Sequence, residues 1–185
     1  MFAPGDEFPN LRLDGVDGRV ELRERWRRGP LVVMFMRHFG CAFCREHLIR
    51  MGRAAKEFDA AGAEVIAVFQ YSAEATRDFC ASRKVPFECL GDPLREAYGE
   101  VSLGRAKRKQ VLSLKIARRH LTAFRQGASF GGPKGGDMMQ LPGTFVIDRE
   151  GRVVFAHYAE SSGDNPPVST VLAAVRSQGV STASG

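Results

Sequence analysis

The chain has 185 residues, 44% of them hydrophobic, which suits one domain over residues 1–185 and is too short for two ordinary ones. No run of about 18 apolar residues occurs, and the opening Met1-Phe2-Ala3-Pro4-Gly5-Asp6 lacks a basic stretch followed by an apolar one, so neither a membrane span nor a secretory leader is expected. The net charge of +6 is local: nine Lys/Arg and no Asp/Glu fall within residues 101–136, and the remaining 18 Lys/Arg face 21 Asp/Glu.

Residues 11–22 alternate apolar and polar around Asp14-Gly15 and Asp17-Gly18, a β-hairpin pattern. Arg28-Gly29-Pro30 breaks the chain before residues 31–36, a continuous apolar run suited to a strand buried on both faces. Leu48, Met51, Ala55 and Phe58 recur at helical spacing across residues 41–61, and Gly62 stands where a helix-ending glycine belongs. Residues 64–71 form the next buried strand. Ser72 is placed to cap a helix over 73–82, with Glu74 near its positive end.

A short strand follows over 85–90, and Asp92-Pro93 opens a further helical turn. Residues 106–125 have helical composition, and 127–137 form a glycine-rich loop; together they make a basic insertion over 101–136. Two strands, 144–148 and 152–158, are joined through Arg149-Glu150-Gly151, and Asp164-Asn165-Pro166 starts a last helix ahead of a frayed tail over 177–185. Helices between buried strands imply a parallel core with right-handed crossovers, to which the late hairpin adds antiparallel strands. The expected fold is an α/β sheet with helices on both faces.

The chemistry concentrates in Arg37-His38-Phe39-Gly40-Cys41-Ala42-Phe43-Cys44, where a buried strand ends and two cysteines open a helix. The thiolate is the reactive form of cysteine, and unpaired N–H groups at a helix N-terminus favour it. Arg37 and a protonated His38 push the same way. Cys41 is the candidate nucleophile, and Cys44, one turn on, can reach it. His38, Cys41, Cys44 and His47 also read as a zinc set, but Cys80 and Cys89 lack the short spacing of a second ligand pair, so redox chemistry is the preferred reading. No metal, haem, flavin or nucleotide is expected. Pro142 stands before the strand that starts at residue 144; a cis peptide there would bring the Leu141 backbone beside the Cys41 sulfur. His47 reads chiefly as a core or surface histidine, and Cys80 and Cys89 as small buried hydrophobes.

These residues resemble the thioredoxin-like superfamily, in its alkyl hydroperoxide reductase/thiol-specific antioxidant branch. Arg37-His38-Phe39-Gly40-Cys41-Ala42-Phe43-Cys44-Arg45-Glu46 is similar to the peroxiredoxin-like 2, or selenoprotein U-like, group. The resemblance extends through Pro4-Gly5-Asp6, Val85-Pro86-Phe87, Gly91-Asp92-Pro93 and residues 141–154. It implies a thioredoxin fold with Pro142 as its cis-proline, Cys41 as attacking residue and Cys44 as resolving residue. It implies a peroxiredoxin-like oxidoreductase reducing hydroperoxides or related substrates, supplied by a thiol donor such as a thioredoxin or a small thiol. The Pro-x-x-x-Thr-x-x-Cys of typical peroxiredoxins is replaced here, with Met34 and His38 at its first two positions when counted back from Cys41. A protein-disulfide reductase of thioredoxin type and a non-enzymatic redox-sensing or partner-binding module are the alternatives. A cytoplasmic setting is expected, with neither membrane nor nucleic acid as partner.

Overall fold

A computed structural model describes residues 1–106 and 136–179. The elements are β1 (Arg12–Gly15), β2 (Gly18–Glu21), α1 (Leu22–Trp26), β3 (Leu31–Phe35), α2 (Ala42–Arg53), α3 (Ala55–Ala60), β4 (Glu64–Phe69), α4 (Ala73–Ala81), β5 (Glu88–Gly91), α5 (Glu96–Glu100), β6 (Gly143–Ile147), β7 (Val153–Tyr158) and α6 (Val168–Gly179). Most of the expected basic insertion, including its helix, and the end of the tail lie outside the described residues.

Among the described residues the strands form one seven-stranded sheet in the order β2-β1-β5-β4-β3-β6-β7. The strands β3, β4 and β5 run parallel, with Val32 opposite Val65 and Val68 opposite Leu90. Strand β6 lies antiparallel to β3, ending with Phe35 opposite Gly143, and β7 continues antiparallel beyond it. The expected hairpin forms β1 and β2, which edge the sheet beside β5.

The two faces explain why β3 and β4 read as unbroken apolar runs. Val32, Met34, Ala67 and Phe69 pack on one face with Leu48 and Met51 of α2, Phe58 of α3, Cys80 of α4 and Val171 and Val175 of α6. Leu31, Val33, Phe35, Ile66 and Val68 point to the other, against Phe8, Trp26 of α1 and Tyr98 of α5. Successive strand side chains alternate sides, so a sheet covered on both needs apolar residues at every position. Tyr98 also sets the end of the sheet that carries the chemistry: its buried hydroxyl donates between the carbonyls of Met36 at 2.6 Å and Val68 at 2.9 Å.

The expected helix over 41–61 is divided at Ala54, whose φ of −92° and ψ of 4° leave the helical region. Gly62, at φ +71°, makes the left-handed exit that a Cβ would strain. Helix α1 has no counterpart in the sequence reading; five residues are too few to show a period, and Leu22 and Trp26 bury as one turn's pair. The peptide before Pro142 is trans, as are all peptides among the described residues, which corrects the expected cis-proline. In this arrangement the Leu141 N–H donates to Gly104 at 3.0 Å and the Pro142 carbonyl accepts from Ala159 at 3.2 Å, so both flanking groups are satisfied without the less stable isomer.

Candidate active site

The junction of β3 and α2 brings the first cysteine pair together. After Phe35 the chain leaves the sheet, turns through a bond from the Cys41 N–H to the His38 carbonyl at 3.0 Å, and enters α2. Cys41 is the N-cap, with extended φ −73° and ψ 109°, and its Sγ accepts the Cys44 N–H at 3.4 Å. A side chain in that position meets the orphan amides of the first turn, which favour negative charge. Both cysteines are free thiols and both are buried.

Arg37 supplies the second contact. Its Nη1 donates to Cys41 Sγ at 3.6 Å, and Nε and Nη2 donate to the carbonyls of Gln140 at 2.7 Å and Met138 at 2.5 Å. Only 7% of Arg37 is exposed, so its charge acts in a poorly solvated place. The segment that orients it is itself braced. The Gln140 amide donates to the carbonyls of Gly104 at 3.1 Å and Leu141 at 3.2 Å. Asp137 takes ion pairs from Arg95 and Arg105 at 2.9 and 2.7 Å. Sequence reasoning missed Gln140 and Met138; the one available signal was a glutamine directly before Leu141-Pro142 in an otherwise apolar stretch.

These contacts split the two thiols electrostatically. The Cys44 thiol directs its proton to Cys41, the Arg37 charge and the Cys44 N–H add to this, and together they outweigh burial to bring the Cys41 pKa from 9.0 down to about 6. Cys44 goes the other way: burial, then the neighbouring Cys41 charge, pushes its pKa well above the ordinary thiol value. One sulfur is thus favoured as a thiolate and the other as a proton-bearing partner one turn away.

His38 lies half-buried beside this turn, with its ring near Gly40, where a Cβ would stand 3.2 Å from Nδ1. Pro142 is buried at the start of β6, one residue past the last β3–β6 pair, on the same stretch of chain whose carbonyls bind Arg37. His47 follows Cys44 by one turn and is 1% exposed, and neither Nδ1 nor Nε2 has a hydrogen-bond partner among the described residues. Burial, then the charges of Arg50 and His157, lowers its pKa from 6.5 to about 4, so it sits in the core as a neutral ring. No three metal-ligating side chains converge among the described residues.

Cys80 and Cys89, expected as separate buried thiols, are joined by a disulfide between the last turn of α4 and β5, with Cα atoms 6.7 Å apart. Nine positions of separation do not determine that distance; it comes from how α4 packs over β5. Among the described residues no helix is long and apolar enough to cross a membrane.

Residues 50–161 match the model of the AhpC/TSA antioxidant enzyme family. Among curated proteins the chain is similar to prostamide/prostaglandin F synthase of Danio rerio, 24% identical over 161 residues, covering 84% of this chain and 79% of that protein. Peroxiredoxin-like 2C of Bos taurus is 27% identical over 180 residues, covering 91% and 77%. Among solved structures, peroxidoxin BcpB of Mycobacterium tuberculosis superposes with a TM-score of 0.71 at 18% identity, over 96% of this chain and 98% of that one.

Proposed function

Since the chain belongs to the AhpC/TSA antioxidant enzyme family and is a peroxiredoxin-like thiol oxidoreductase, we propose that Cys41 is its peroxide-attacking residue, Cys44 its resolving residue, and a small hydroperoxide its substrate. The observation that carries this is the pair of donors, Arg37 Nη1 and the Cys44 N–H, converging on the Cys41 sulfur. They stabilise the thiolate before reaction and are placed to bind the peroxide oxygens during it.

The Cys41 thiolate attacks one peroxide oxygen, the O–O bond breaks, and an alkoxide or hydroxide leaves to take a proton. Cys41 is now a sulfenic acid. The Cys44 sulfur then attacks it, an S–S bond forms, and the hydroxyl departs as water. Two equivalents of an external thiol reduce the disulfide and restore both thiols. Arg37 stands in for the threonine missing from the Pro-x-x-x-Thr-x-x-Cys pattern, and Pro142 holds the start of β6 so that the carbonyls of residues 138 and 140 keep Arg37 aimed. His38 shapes the turn that presents Cys41.

Burial favours a hydroperoxide over a protein disulfide. Cys41 is 3% exposed, and exchange with a folded partner needs a sulfur the partner can reach. By the same burial a low-molecular-weight thiol is favoured over a thioredoxin as the donor, and a reducing compartment such as the cytoplasm supplies it. Neither a membrane nor a nucleic acid is needed in this cycle.

Stopped-flow consumption of hydrogen peroxide and of an organic hydroperoxide by reduced protein tests the assignment. Wild type outpaces a free thiol, Cys41→Ser is inactive, and Cys44→Ser stops after one turnover. If none of the three exceeds a free thiol, peroxide reduction is wrong and reduction of protein disulfides takes its place.

A further inference from the structure

The Cys80–Cys89 disulfide lies outside this cycle, yet it is not sealed in the core. It lines an open cleft of about 230 Å³ between α4, β5 and the turn of the β1–β2 hairpin, with Val16, Arg77, Val85 and Phe87 as neighbours. Cys80 is 4% exposed, whereas Cys89 is half-buried on the cleft side of β5. A bridge kept only for stability gains nothing from a cleft that opens beside it. The cleft is too small for a folded partner to enter and wide enough for a small thiol. Its charged walls also balance, Arg77 against Glu88, with Arg77 paired to Asp78 at 2.9 Å and Glu88 to Arg25 at 2.8 Å.

We propose that Cys80–Cys89 is a second thiol–disulfide exchange site, reduced by a low-molecular-weight thiol that enters this cleft and attacks Cys89. The incoming thiolate bonds to Cys89 Sγ, the protein S–S bond breaks, and Cys80 leaves as a thiolate that takes up a proton. A second thiolate attacks the mixed disulfide, releases the oxidised small disulfide, and leaves Cys89 as a thiol once protonated. Two small thiols are oxidised, and one protein disulfide is reduced to two thiols. The reverse sequence closes the bridge. The greater exposure of Cys89 selects it over Cys80. The site is one aromatic stack from the first pair: Phe79, next to Cys80, stacks on Phe39 with ring centroids 4.1 Å apart, and Phe39 is two residues from Cys41.

The test uses full-length Cys41→Ser/Cys44→Ser protein, in which only the second pair remains, so its result does not depend on the roles given to the first. Folded protein is equilibrated with glutathione and glutathione disulfide in mixtures of increasing reducing strength, quenched with acid, alkylated and weighed intact. Bridged and dithiol forms interconvert while the circular dichroism of the native fold persists. In the further variant Cys80→Ser, Cys89 takes up glutathione; in Cys89→Ser, Cys80 resists it. Val16→Trp narrows the cleft from an exposed turn and slows reduction by about fivefold or more. The proposal is overturned if the bridge opens only after denaturant unfolds the chain, if Cys80 is the residue glutathionylated, if Val16→Trp leaves the rate unchanged, or if oxidised protein never forms the bridge.

Discussion

The first cysteine pair opens a helix, whereas the second ties the last turn of a helix to a strand, and that placement separates their chemistry. Cys41 caps the N-terminus of α2, where its sulfur meets the Cys44 N–H and the Arg37 guanidinium. Cys80 lies in the last turn of α4, where the helix dipole disfavours negative charge. The nearby Arg83 is directed elsewhere, over the Phe79 ring at 3.7 Å and onto the Phe79 carbonyl at 3.0 Å. The first pair is accordingly a thiolate and a thiol, and the second is a bridge. The Cys44 thiol, the Arg37 charge and the Cys44 N–H, gathered at the start of α2, set the Cys41 chemistry, and Cys80 has no such set around it among the described residues.

Removing that cation is the strongest way to break the contrast. Arg37→Met takes three donors from a buried site, leaving the Gln140 and Met138 carbonyls without them, and costs about 4 kcal/mol in urea unfolding. The Cys41 thiolate, followed by its ultraviolet absorbance against pH, then titrates above about 6, closer to the ordinary 9.0. A titration left near its starting point would assign the low value to the helix N-terminus and Cys44 alone.

A second difference is the cost of the surroundings. The helix bearing the first pair also carries His47, buried with both nitrogens unpaired among the described residues. Its folded pKa of about 4 lies below the ordinary 6.5. Below pH 6.5 the unfolded chain therefore binds a proton that the native ring refuses. Stability is complete above that pH and falls as the pH drops toward 4, by roughly 3 kcal/mol over the window. His47→Leu flattens this part of the stability–pH profile and raises stability at pH 5. A profile unchanged by the substitution would show that the native ring holds its proton through a partner.

How much of this was legible in the sequence depends on the range of the cause. Ser72 capping α4, the β1–β2 turn and the doubly buried β3 arise from residues adjacent in the chain, and each formed near its expected place. The Cys41/Cys44 pairing was equally local. Arg37 was a minor candidate because its aim depends on carbonyls about a hundred residues away. The Cys80–Cys89 bridge and the trans peptide before Pro142 depend on how α4 meets β5 and on what Gly104 and Ala159 offer. No local pattern encodes those distances.

The smallest expected effect tests whether the two regions are independent. Both helices begin with a side chain that accepts an amide three residues on: Cys41 Sγ from Cys44 at 3.4 Å, and Ser72 Oγ from Ala75 at 3.3 Å. In α2 that acceptor is also the sulfur with the lowered pKa, so the cap and the thiolate cannot be altered separately. In α4 they can. Ser72→Ala removes a cap and costs about 1 kcal/mol in thermal or urea unfolding, while the pH dependence of Cys41 alkylation stays as it was. A Cys41 profile that moves with Ser72 would mean that loosening α4 passes through the Phe79–Phe39 stack to the turn holding Cys41. The two pairs would then be one coupled unit, with the aromatic rings as its physical link.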